Sequence, residues 1–406
     1  MKKTPTPKTR KRAINKLSPP EPSRGTAINQ YYPKRFKTMK QNNGDKSGRV
    51  KWLWLSAIFA LAVLIAVLAR AALMHGSVIH GKMDAGSSGK ISERTEKKEC
   101  SGCVRRYIDG VYVSPGKENP YPSAVIIENH PDARPQFGLS RANLVYEAEA
   151  EGGITRFLAV FSGGENLDKI GPVRSARPYF VGWARGLSAL FAHSGGSPEA
   201  LAQIAKENIF DLNEFYNEKY FWRDKSTRAP HNLFTSSEKL NEYLNLKQRK
   251  QGKFLSWRFK GGDGGREEPS SEVSKSGSAG EITIGFELPE FAVKWKYDPR
   301  NNDYVRYMGG QAHKDANGEN IRAKNVAVMY VKARVVDEKL RLKMEYIGEG
   351  EALVCLDGKC EKGEWRKKTD ASRVRFYEKN GEEFIFNAGA TWIEAVRPEI
   401  DVAAPL

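Results

Sequence analysis

Cysteine and histidine are scarce in this chain, with four and six among 406 residues. None of His130, His193 or His231 stands in H-x-x-x-H or comparable ligand spacing, so no metal site is expected from the sequence. Neither Ser194 nor Ser197 stands in the G-x-S-x-G turn that exposes a hydrolase nucleophile. Internal repeats are lacking, which excludes solenoids and propellers. Acidic residues are almost missing from residues 1–51, two against 15 Lys and Arg, whereas the remainder holds 47 against 51. The net charge of +17 is therefore largely a property of the tail. The rest has too even a balance to suggest specific nucleic-acid binding, and no cofactor is expected.

Long apolar runs are equally rare, and the one present stands out. From Trp52 to Ala69, 18 residues carry no charge, and Leu73 and Met74 extend the stretch. This predicts a transmembrane helix over 52–74, with Trp52 and Trp54 at the interface. The basic tail, too polar to bury a core, predicts a disordered cytoplasmic segment, and everything after about residue 75 is placed outside the cytoplasmic membrane. The competing reading is a cleaved signal peptide ending at Ala69-Arg70-Ala71; a 51-residue basic region and an 18-residue apolar run are both too long for one.

Residues 75–106 read as a polar tether, and residues 107–255 alternate strands with helices. Strands are predicted over 123–130, 143–151, 155–163 and 187–195. Helices are predicted over 175–186, 197–207 and 236–247, the last opened by the capping box Thr235–Glu238. Residues 256–281, rich in Gly and Ser, read as a flexible linker. Residues 282–402 are short strands with turn signals and no helix, a barrel or sandwich. The predicted architecture is thus an α/β or α+β domain followed by a mostly-β domain, preceded by one transmembrane helix. In the second domain Asp357-Gly358 makes a two-residue hairpin turn, which sets Cys355 opposite Cys360 where a cross-strand disulfide fits. Cys100 and Cys103 form a C-x-x-C without a βαβ setting, and a four-thiolate zinc site joining both pairs is the alternative use of the four cysteines.

Three polar constellations occupy the first domain. Glu147, Glu149 and Glu151 alternate, so a regular strand points all three carboxylates to one face, where they are solvated, paired with cations or metal-bound. In "GPVRSARPYF", Arg174 and Arg177 stand at a helix opening that Ser175 can cap and Pro178 can begin. Cations have the wrong sign for that end of a helix, so they either pair with the glutamates or wait for an anion. In "FAHSGGSPEA", His193, Ser194 and the Gly195-Gly196 turn precede a helix capped by Ser197, a plausible ligand rim. Arg228, His231 and Asn232 lie on a Pro-containing loop, as do Glu128, Asn129, His130 and Arg134.

These phrases, in this order, resemble the YerB-like family of bacterial envelope lipoproteins. The likeness runs through "ENHPDARPQFGLSRANLVYEAEAEGGITRFLAVF", "GPVRSARPYF", "HSGGSPEA", "RAPHNLFT", "VKWKYDPRNNDYVRYMGGQAHKDANGENIRAKNVAVMY" and "NAGATWIEAV", about residues 107–400. The resemblance implies a two-part domain of unknown function on the outer face of the cytoplasmic membrane, and carries no catalytic residues. One departure matters: family members bear a lipid-carrying cysteine just after the signal, whereas the first cysteine here is Cys100, so a membrane helix replaces the lipid. Two functions remain open. One is binding of an anionic envelope polymer such as peptidoglycan, or a peptide, through Arg134, Arg156, Arg174 and Arg177 beside the Gly195-Gly196 rim. The other is a cell-wall hydrolase or transferase using a glutamate of 147–151 or a histidine among His130, His193 and His231 as acid/base.

Overall fold

The computed structural model describes residues 102–261 and 280–406. The predicted membrane helix, the basic tail, most of the tether and the middle of the linker lie outside these residues. Among the described residues no helix is long and apolar enough to cross a membrane. What is described is mostly β, with three α-helices.

The first half contributes strands β1 (Ser123–Glu128), β2 (Leu144–Glu151) and β3 (Ile154–Phe161), then helix α1 (Pro178–Gly186) and β4 (Leu190–His193). Helix α2 (Pro198–Lys206), β5 (Asp211–Asn213) and helix α3 (Ser237–Leu246) complete it. The second half contributes β6 (Glu281–Ile284), β7 (Val293–Asp298), β8 (Asp303–Met308), β9 (Asn325–Tyr330), β10 (Gly348–Leu356) and β11 (Lys359–Lys367). Strands β12 (Arg375–Glu378), β13 (Thr391–Val396) and β14 (Val402–Ala403) follow.

The division by sequence does not carry through to the sheets. A ten-stranded mixed sheet runs β12-β11-β10-β9-β13-β2-β3-β1-β4-β5, so strands of both halves form one ladder. The seam is the parallel pairing of β13 with β2, Thr391 opposite Leu144 through Ala395 opposite Ala148. The second half is accordingly not a closed domain of its own: its remaining strands β8, β7, β6 and β14 make a smaller sheet that packs on the large one.

Both faces of the large sheet are covered, which is why strands such as β1 read as unbroken apolar runs rather than alternating ones. Val125, Ile127, Val145 and Phe157 meet Ile282, Ile284, Trp295 and Tyr304 of the small sheet, with Leu240 and Leu244 of α3 nearby in the same core. Ala124, Ile126, Tyr146 and Leu158 meet Tyr179, Phe180 and Trp183 of α1 and Ala200 of α2. Tyr146 stacks on Trp183 at 4.8 Å, and Gly182 lets the Tyr346 ring approach α1 where a Cβ would meet it at 2.0 Å.

Several local expectations are corrected. Helix α3 is capped by Ser236, whose side chain accepts from Lys239 N, while the Thr235 hydroxyl donates to Tyr220 O instead. Ser175 does not cap α1; Arg177 occupies the N-cap position without a side-chain cap and Pro178 is the first helical residue. The linker is shorter than 256–281, since Trp257 is buried and stacks on Phe386 at 4.7 Å, and Arg258–Phe259 pair in parallel with Ile385–Phe386. The tether also ends early, because Val104–Arg105 already pair with Tyr112–Val113. Cys355 and Cys360 face each other across β10 and β11 with Cα atoms 4.0 Å apart and are joined by a disulfide. Asp357 and Gly358 both have positive φ, 53° and 81°, the geometry of the predicted two-residue turn. Cys100 lies outside the described residues, and Cys103 carries no free thiol.

Candidate functional site

The three glutamates do not share a face. Register shifts between Glu149 and Glu151 where β2 pairs β3, and this bulge turns Glu151 toward the helix-covered side. Glu147 and Glu149 stay on the small-sheet side. Each carboxylate has its own arginine. Glu147, fully buried, pairs with Arg306 of β8 and accepts from the Thr155 hydroxyl at 2.7 Å. Glu149 accepts from Arg397 Nε at 2.7 Å. Glu151 is shared by Arg156 and Arg177, with Arg177 Nη2 at 2.5 Å. Burial pushes the Glu151 carboxyl up, but the two guanidiniums outweigh it and hold it below its usual range. Arg156 also donates to Ser175 O, Arg177 donates to Ala176 O, and burial lowers Arg156 to about 10. These groups are internal ties, with neither acid nor cation left over.

The Gly195-Gly196 rim is likewise committed. The His193 ring is fully buried, with Nδ1 at 2.7 Å from Gly195 O and Nε2 at 3.1 Å from Asp211 Oδ2, which leaves no nitrogen for a ligand. Gly195 N donates to Asn213 Oδ1 and Ser194 N to Arg174 O, while the Ser194 hydroxyl donates to Glu214. The Phe215 ring covers Gly195, and Ala176 packs on Gly196. Arg134 ties the halves together: it donates to Asn129 O and Glu290 O and lies over Phe291 at 4.8 Å, and burial lowers it to about 10. Asn232 holds its loop, donating to Asp224 O and accepting from Arg223.

What remains open is a cluster around Glu128, the last residue of β1. The segment after Gly171 runs beside β1, with Glu128 N donating to Pro172 O and Arg174 N to Ile126 O. This places Arg174 and His231 on the two oxygens of one buried carboxylate. Arg174 Nε lies 3.0 Å from Glu128 Oε1, off the line of a good hydrogen bond, and His231 Nδ1 lies 2.9 Å from Oε2. The terminal nitrogens of Arg174 have no partner among the described residues, and its side chain is 25% exposed. His231 Nε2 likewise has no partner among the described residues. The His130 ring stacks on His231 at 4.8 Å, its Nδ1 accepting from Asp132 N. Arg228 on the same loop is exposed, with no side-chain partner among the described residues. The two neighbouring cations thus differ: Arg177 is consumed by Glu151, whereas Arg174 keeps donors to spare.

Sequence reasoning missed the second-half partners Arg306, Arg397 and Glu394. Two carried a signal. Arg306 shares the inward face of β8 with Tyr304 and Met308, and Glu394 stands inside a wholly buried strand. A charge at an inward position asks for a buried counter-charge.

The comparisons with known proteins agree with this two-part layout. Residues 110–250 match the N-terminal domain, and 282–393 the C-terminal domain, of a protein family of unknown function, DUF3048. A Bacillus subtilis (strain 168) protein, YerB, named as a candidate lipoprotein, is 32% identical over 288 residues, 70% of this chain and 83% of that protein. The crystal structure of Bacillus subtilis YerB superposes with a TM-score of 0.64 at 27% identity, covering 74% of this chain and 99% of that one.

Proposed function

The chain belongs to the YerB-like, two-part DUF3048 family, and from that premise we propose that it is an envelope protein anchored at the cytoplasmic membrane that binds an anionic polymer or peptide. The lipoprotein name of its relative and the apolar stretch Trp52–Ala69 support the location. The observation that carries the binding reading is Arg174, whose terminal donors have no partner among the described residues while Glu128 holds it beside His231. A guanidinium fixed by its Nε side keeps its outer fork for a carboxylate or phosphate. Exposed Arg228 adds to the charge of the same face.

A second reading, a wall hydrolase or transferase, is favoured by one feature. Glu128 fixes His231 Nδ1 and so orients Nε2 outward, the arrangement of a general base. The full-length protein incubated with purified peptidoglycan and anionic wall polymer separates the two. Binding predicts retention without released fragments, reduced about tenfold in Arg174→Ala, the worth of one charge-assisted contact. Fragments released by wild type and not by His231→Ala establish the enzyme. Neither retention nor fragments would remove both readings.

A further inference from the structure

We propose that His130, Asp132 and His231 form a binding site for a divalent transition metal of the zinc class. One donor atom from each lies within 4.8 Å of the others, an approach that their spacing in sequence does not reveal. Imidazole and carboxylate are the donor set that zinc takes when three protein ligands leave a fourth position open.

Three features of the surroundings suit a metal. His231 turns Nδ1 to the buried carboxylate of Glu128, at 2.9 Å, and keeps Nε2 free. A ligating histidine is held in this way by a carboxylate behind it, which sets the tautomer and raises ligand basicity. Asp132 lies in the short turn Pro131–Ala133 and His130 caps that turn, with side chains 75% and 34% exposed, so they have room to close. Closing is required, because a tetrahedral site with bonds of about 2.1 Å brings donors to about 3.4 Å of each other. The stacked rings must therefore tilt as the ion enters. Finally, Arg174 offsets the charge of Glu128, the carboxylate it shares with His231, and its outer donors have no partner among the described residues. A metal-bound oxygen anion could then be clasped from both sides.

The inference deepens the binding proposal and rests on it only for the identity of the anion; the metal itself is tested alone. Full-length protein, purified in mild detergent and stripped with chelator, is titrated with zinc by calorimetry, and with cobalt(II) to read its visible spectrum. His75 and His80 lie elsewhere in the chain and are replaced by alanine in the parent protein so that they contribute nothing. One equivalent of zinc is expected, with a tetrahedral cobalt spectrum. Binding is lost in His130→Ala/His231→Ala, and weakened about 10- to 100-fold in Glu128→Gln, the usual cost of removing a supporting carboxylate. Circular dichroism confirms that each variant is folded, and Asp132→Asn provides a milder change if the double variant is not. Zinc binding that persists in the folded double variant and in Asp132→Asn, or no binding by the parent, overturns the site. Polymer retention measured with and without zinc keeps the two proposals apart. Retention indifferent to chelator leaves the polymer reading standing and removes the metal from it. Stoichiometric zinc without retention does the reverse.

Discussion

Glu394 shows what a single buried charge does to this protein. Its Oε1 accepts from Trp295 Nε1 at 2.9 Å, Arg306 Nε is 3.9 Å away, and its strand neighbour across the seam is Glu147. Burial, and then the Glu147 charge, hold its carboxyl well above the usual carboxylate range. The folded state therefore keeps a proton that the unfolded chain releases above about 4.5, and stability falls as pH rises past that value. Replacing Glu394 by Gln removes the titration and keeps the oxygen that Trp295 bonds. Its melting temperature should exceed wild type's by more at pH 8 than at pH 5; an equal difference at both would place Glu394 outside the titrating set. At this scale the sequence was half legible. Alternating glutamates and paired arginines announced ion pairs, and Arg177–Glu151 is one of those expected. Arg306 and Arg397 follow Glu147 and Glu149 by 159 and 248 residues, too far for spacing to reveal them.

At the scale of the element, the hairpin of β10 and β11 was readable in full, because turn, register and disulfide all follow from six residues, Cys355–Cys360. A loop that short gives a chain-entropy stabilisation of about 2 kcal/mol. Cys355→Ala/Cys360→Ala should lose that much in denaturant unfolding while keeping the near-ultraviolet signature of the fold; loss of the fold itself would show that the bridge does more than restrain the unfolded chain. Strand β2 was less legible. The period of two assumes a regular ladder, and a one-residue bulge after Glu149 reverses the facing of Glu151 without leaving a mark in its composition. Helix α3 shows a smaller version of the same limit: Thr235 and Ser236 are both good caps, and only the contact with Tyr220 O decides between them.

For the whole molecule, the Gly/Ser-rich stretch suggested two separate domains, and the shared sheet joins what it divides. β2 and β13 are adjacent in the sheet though far apart in the chain, and pairing over that distance has no local signature. The buried Glu147–Arg306 pair crosses the same boundary. Residues 102–261 expressed alone would expose the edge of β2 and an apolar sheet face, a template for aggregation. They should fail to unfold cooperatively until residues 280–406 are added in trans, whereas two independent transitions from separate halves would refute the shared sheet.

The account assigns Arg177 to holding the molecule together and Arg174 to meeting an anion, so comparing these two neighbours tests it most directly. Stability and polymer retention are measured side by side for Arg174→Ala and Arg177→Ala. Arg177→Ala should lose about 2 kcal/mol, the cost of a buried charge-assisted bond, and still hold polymer when folded. Arg174→Ala should lose less stability and about tenfold in retention. Full retention by Arg174→Ala, or loss of retention by an Arg177→Ala that is as stable as wild type, would contradict it.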